Sequence, residues 1–191
     1  MAEYVIARDR RLTGTLPNAF VQWWYDLNVI TTDGATPLRQ LFNSVNTLHG
    51  EHGKLHSLFV LCHGFAGSST RLRMSGDVGG QGLQLGREGV MHGNVSAWEA
   101  IRGKVTNIVV YACAASNTEA GNEFTAEDGQ YLMGALAIHT DATVYAANRI
   151  QWYQPQNFDF GRWEGQLYKF SPTGTPPQPV NRVPVELREV S

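Results

Sequence analysis

Residues 58–64 read L-F-V-L-C-H-G and residues 108–115 read I-V-V-Y-A-C-A-A. Each is an apolar run of strand length that stops on a chemically active side chain. The first stops at His63 and the second at Cys113. A free thiol with a pKa near about 8.5 is only a few per cent thiolate at neutral pH, so it needs a base to become a nucleophile. An imidazole can take that proton and later return one to a leaving amine. A thiol and an imidazole presented at the ends of two buried strands are the minimal equipment for cysteine-based acyl transfer. Gly64 has no side chain over its N–H, so the N–H groups of Gly64 and Cys113 are the expected oxyanion donors. Ala112, Ala114 and Ala115 are small enough to let a substrate backbone come close to Cys113. Taken alone, Cys113 reads as a core cysteine and His63 as a loop histidine. The agreement of the two strand ends, the glycine and the alanines selects a dyad.

The elements that must carry these residues follow from periodicity. Strands are expected over residues 4–7, 27–31, 58–62, 107–112, 141–147 and 163–170. Pro17 starts a helix with Phe20, Trp23, Trp24 and Leu27 on one face, and Asp33-Gly34 turns the chain after the second strand. Thr36-Pro37 predicts a helix with a hydroxyl cap, with Leu38, Leu41, Phe42, Val45 and Leu48 facing the core and Gly50 ending it. Residues 96–99 (S-A-W-E) and 125–128 (T-A-E-D) read as capping-box starts of two more helices. Residues 81–85, within the glycine-rich span 76–89, predict a small hairpin outside the main sheet. Strands alternating with helices argue for a mostly parallel sheet of about six strands in a three-layer α/β/α fold. Function in such sheets gathers at the carboxyl ends of the strands, where His63 and Cys113 both fall.

At 191 residues, one domain is expected over 1–191, with a proline-rich extended segment over 172–191. A net charge of −2 with no basic stripe argues against nucleic acid. No apolar run is long enough for a membrane span. The first ten residues lack a basic start and an apolar region, so no classical export signal is expected. A reduced cytoplasmic setting is the default for two cysteines, and a leaderless secretion route would leave no trace in the sequence. His49, His52 and His56 cross a helix end, a loop and a strand start without a regular Cys or acidic partner, so neither metal nor other cofactor is expected. Cys62 precedes His63 and points to the opposite sheet face, into the core.

Residues 58–115 resemble the caspase-like fold of clan CD cysteine peptidases, which includes caspases, metacaspases, gingipains, separase and the bacterial CHAT domains. Those proteins place an H-G pair after the third strand and the cysteine after the fourth, with a hairpin and a helix between. Here the order is H-G-F-A-G, G-L-Q-L-G, the Trp98 helix, then Y-A-C-A-A. The wording is closest to CHAT domains, and the tail W-E-G-Q-L-Y-K-F-S-P-T-G over 163–174 adds to it. The resemblance implies a peptidase with Cys113 as nucleophile and His63 as general acid/base, a protein or peptide substrate, and an activating partner protein in some members. It also implies an S1 pocket built from strand ends near the nucleophile, here Tyr111, Asn148 and Arg149. Caspases read Q-A-C-R-G, whereas this chain has Tyr111 in place of the glutamine. Arg149 favours an acidic or uncharged P1 residue. Asp77 is the one carboxylate placed to favour a basic one.

Two other functions compete. A caspase-like chain can be a catalytically silent or partner-activated binding module. H-G-F-A-G-S-S also resembles the oxyanion segment of α/β-hydrolase esterases, but that fold needs a nucleophile elbow with small residues two before and two after the nucleophile. Tyr111 stands two before Cys113.

Overall fold

A buried parallel sheet forms wherever the chain supplies uninterrupted apolar runs, and here those runs set the architecture. The structure is a computed structural model that describes residues 3–13, 27–65, 80–118, 123–126, 128–149, 151 and 163–184. In chain order it contains β1 (Tyr4–Asp9), β2 (Leu27–Thr32), α1 (Leu38–His52), β3 (Leu55–Leu61), β4 (His63–Phe65) and β5 (Gly82–Gln84). A 3₁₀ helix (Val95–Ile101), β6 (Val105–Tyr111), α2 (Gly129–Thr140), β7 (Thr143–Ala147), β8 (Leu167–Phe170) and β9 (Gln178–Val180) follow.

The main sheet has seven strands in the order β2-β1-β3-β6-β7-β8-β9. The first five are parallel, and β8 and β9 add antiparallel pairings. The fold is therefore α/β with a mostly parallel sheet, compatible with a three-layer sandwich. The strand beyond the expected six is β9. It comes from the proline-rich segment and carries Pro179, which an edge strand tolerates. The chain reverses direction across the sheet between β1 and β3, and an open α/β sheet leaves its crevice at the carboxyl ends of such a pair.

Period-two alternation divides the core. Val5, Leu58, Val60, Cys62, Ile108, Val110 and Val144 face α1, the 3₁₀ helix and α2. Tyr4, Ile6, Phe59, Leu61, Val109, Tyr111 and Tyr145 face the other way, under Leu12, Trp163 and Val183. The helix expected from Pro17 onward lies outside the described residues, as does Asp77.

The expected helix ends shift, for physical reasons. Thr36 does not cap α1, because its hydroxyl is bonded to Asp33. The Leu38 N–H instead donates to the Glu88 carboxylate at 2.8 Å, a cap from 50 residues away. Gly50 continues the helix, and Gly53, at φ 81°, ends it. The 3₁₀ helix begins at Val95 with no side-chain cap from Asn94, whose amide oxygen accepts from Met91 N. In α2 the cap is Asp128, which accepts from Tyr131 N, rather than Thr125. The hairpin expected over 81–85 is β5, and its antiparallel partner is β4, the strand that holds His63.

Candidate active site

β3 and β6 are neighbours with Leu61 opposite Tyr111. His63 and Cys113 each lie two residues beyond that last pair, so the sheet delivers them side by side at one rim. Their backbones come closer still one residue later. A Cβ on Gly64 would overlap the Cys113 carbonyl oxygen and lie 3.0 Å from its carbonyl carbon. Gly64 is thus required by the approach of β4 to the cysteine turn, in addition to its expected place as an oxyanion donor.

The turn after Cys113 is braced by backbone on several sides. Ala114 N donates to Arg149 O at 2.8 Å and Ser116 N to Ala147 O at 3.1 Å, both at the end of β7. Gly129 N donates to Asn117 O at 2.8 Å. A Cβ on Gly129 would lie 2.7 Å from Ala115 O, and one on Gly80 would lie 2.9 Å from Gly129 N. Ala114 itself is buried with φ 49°, a left-handed conformation that costs a non-glycine residue about 1–2 kcal/mol. Strain of this kind persists only where the surroundings over-determine it. Ala114→Gly is expected to stabilise the chain by up to about 1 kcal/mol. Ala114→Val, β-branched and overpacked, should cost about 2–3 kcal/mol in denaturant unfolding. Equal midpoints for the two variants would show that the left-handed turn is not under strain.

The side chain of Cys113 is half-buried. Its thiol donates weakly to Gln151 O at 3.9 Å. Burial pushes this thiol above its ordinary pKa, and backbone groups of Gln151 and Cys113 offset only part of the rise. The protonated thiol is therefore the resting form at neutral pH. Gln151 is buried too. Its amide donates to Arg149 O at 2.9 Å and Glu164 O at 3.1 Å, which ties the segment after β7 to the approach to β8. Cys62, fully buried among the apolar residues beneath the rim, is pushed far higher by burial, by the nearby Asp9 carboxylate and by Cys113. Its placement agrees with the expected core role.

His63 is exposed, and its Nε2 lies 3.1 Å from Arg11 O. A carbonyl oxygen can only accept, so Nε2 carries a proton, and in the neutral ring Nδ1 keeps the lone pair. Arg11 follows β1, the strand on the other side of β3. The rim therefore gathers four strand ends: Arg11 after β1, His63 after β3, Cys113 after β6, and Asn148, Arg149 and Gln151 after β7.

The expected substrate-binding residues fare differently. Tyr111 is buried, its ring stacked on Trp163 at 4.7 Å, so it belongs to the second core rather than to an open pocket wall. Asn148 accepts from Gln166 N at 2.9 Å through its side chain and donates its own N–H to Gln166 O at 3.1 Å, a reciprocal clamp onto the β8 approach. Arg149 is exposed at the rim, and its carbonyl supports Ala114. Ala112, Ala114 and Ala115 are buried, so their small size serves packing of the turn rather than access for a substrate. Among the described histidines, His56 lies against Tyr4 and Ser57, while His52 faces Glu3 at 3.6 Å. No group of three or more metal-ligating side chains occurs among the described residues.

Arg11, Gln151, Gly80 and Gly129 were not expected at this site. Arg11 and Gln151 reach the dyad residues through their main-chain carbonyls, which every residue type possesses. Only the positive φ of Gly80 and the place of Gly129 as the first residue of α2 have a sequence correlate, and glycine is too frequent here to single them out. Comparison with protein-family models, curated proteins and solved structures found no match to this chain.

Proposed function

We propose that this protein is a cysteine endopeptidase with a caspase-like arrangement, in which Cys113 attacks the scissile carbonyl and His63 moves the protons. The observation that carries the proposal is the equal offset of His63 and Cys113 beyond a paired β3 and β6, with Gly64 against the Cys113 carbonyl. Strand order alone selects no chemistry, so the reading rests on this rim.

The raised Cys113 thiol calls for a general base rather than a preformed thiolate–imidazolium pair. His63 Nδ1 takes the thiol proton as sulfur bonds to the carbonyl carbon. The resulting oxyanion is received by the N–H groups of Gly64 and Cys113. Collapse breaks the C–N bond, and the imidazolium gives its proton to the departing amine. Water, deprotonated by the same Nδ1, then hydrolyses the thioester and frees Cys113. Before attack the thiol must turn away from Gln151 O. Arg149, exposed at the rim, is a cation that suits an acidic P1 residue, whereas Tyr111 supports the floor beneath.

A peptide library carrying a thiol-reactive acyloxymethyl ketone tests the reading. The expected result is covalent labelling at Cys113 alone, faster at pH 9 than at pH 7 and still climbing at the upper end, because the thiol titrates above its ordinary value. Labelling that has already levelled off near pH 6 would point to a preformed ion pair. Absence of labelling across the library would favour the binding-module function.

A further inference from the structure

Asp9 ends β1 with its side chain wholly removed from solvent, yet it is a carboxylate. It is fully engaged. Oδ1 accepts from Arg11 N at 3.0 Å and from Arg11 Nε at 2.7 Å. Oδ2 accepts from Arg11 Nη2 at 2.7 Å, from Gly86 N at 2.8 Å and from Thr32 Oγ1 at 3.2 Å. Arg11 Nη2 also donates to Gly86 O at 2.7 Å. Burial alone would raise the Asp9 carboxyl, but the donors from Arg11 and Gly86 hold it below its ordinary range.

These bonds join the two pieces of chain that flank His63. On one side is Arg11, whose carbonyl receives the Nε2 proton. On the other is Gly86, two residues beyond Gln84, the β5 residue paired with His63. We propose that Asp9 and Arg11 are positioning residues: their clamp fixes the Arg11 carbonyl against His63 and thereby sets the tautomer that leaves Nδ1 free as base. Stability is a poor explanation for the pair, because a buried ion pair generally does no better than apolar residues of the same shape. What it supplies is a fixed spacing. A carbonyl that drifts leaves the Nε2 proton without an acceptor, and the proton then divides between the two ring nitrogens. The fraction with Nδ1 protonated cannot accept the thiol proton. The catalytic consequence rests on the peptidase reading, whereas the tautomer does not.

The test uses the full chain with ¹⁵N-labelled histidine and long-range ¹H–¹⁵N spectra of the imidazoles. Wild-type His63 is expected as the Nε2–H tautomer. Arg11→Gln removes the fork to Asp9 while keeping a polar chain at a partly exposed position. Asp9→Glu keeps the ion pair but displaces it by a methylene, and serves where the first variant does not fold. Each should give mixed tautomers at His63 and lower kcat by about 10- to 100-fold, with KM much less affected. Wild-type His63 found as Nδ1–H, or a folded variant that keeps the wild-type tautomer, overturns the clamp. A wild-type chain that cleaves no peptide, with the tautomer shift still seen in the variants, removes the peptidase reading and leaves the clamp standing.

Discussion

Cys113→Ala is expected to bring peptide cleavage to background, a fall of at least about 10⁴-fold, because the only other thiol, Cys62, is buried in the core. The fold should survive. The change removes one sulfur atom from a half-buried position where the thiol makes a weak contact of 3.9 Å to Gln151 O, and substitutions of that size cost about 1 kcal/mol. His63→Ala should lower kcat by about 10²–10⁴-fold, the usual share of a general acid–base group. Cys62→Ala is the control. It opens a small void in a fully buried layer and should cost about 1–2 kcal/mol while cleavage continues. Kinetics on a cleavable library peptide, beside circular dichroism and denaturant unfolding, separate these outcomes. Cleavage that persists in Cys113→Ala and disappears in Cys62→Ala would mean that the nucleophile is Cys62.

Gly64→Ala should be nearly as damaging, for a different reason. The added methyl group would collide with the main chain of Cys113 rather than with a side chain that can rotate away. Either β4 or the cysteine turn must move. Overpacking against fixed backbone costs about 1–3 kcal/mol, and displacement of the reacting groups by about 1 Å costs about 100-fold in rate. Both losses are expected together, the first in denaturant unfolding and the second in kcat. An alanine variant with wild-type stability and turnover would falsify the close approach of β4 to Cys113.

Much of this molecule could be read from residue order. The runs before His63 and Cys113 are continuously apolar because β3 and β6 are central strands buried on both faces, and that pattern needs no tertiary knowledge. The hairpin near residue 83 was legible as an element, but not its pairing. β4 is only three residues long and takes its register from contact with β5. Helix starts misled wherever a distant group competed with the local one. Glu88 supplied the α1 cap, and Asp33 took the Thr36 hydroxyl meant for it. Gly50 and Gly53 are equally glycine, and only the second adopts the conformation that ends a helix. Tyr111 was placed beside the nucleophile by its position two residues earlier, but strand alternation and Trp163 put its ring in the core. The histidine's partner was illegible because it is a carbonyl.

The residues at this rim are scattered along the chain: Arg11, His63, Cys113 and Gln151. A ribosome releases them in that order. After Cys113 has emerged, the turn that holds it still lacks the Ala147 and Arg149 carbonyls that receive Ser116 N and Ala114 N. Those acceptors come with the end of β7. A nascent chain that already contains both His63 and Cys113 therefore still lacks the bracing of the cysteine turn, and so does any fragment cut before β7. The order of synthesis delays the braced cysteine turn until most of the sheet exists to hold it.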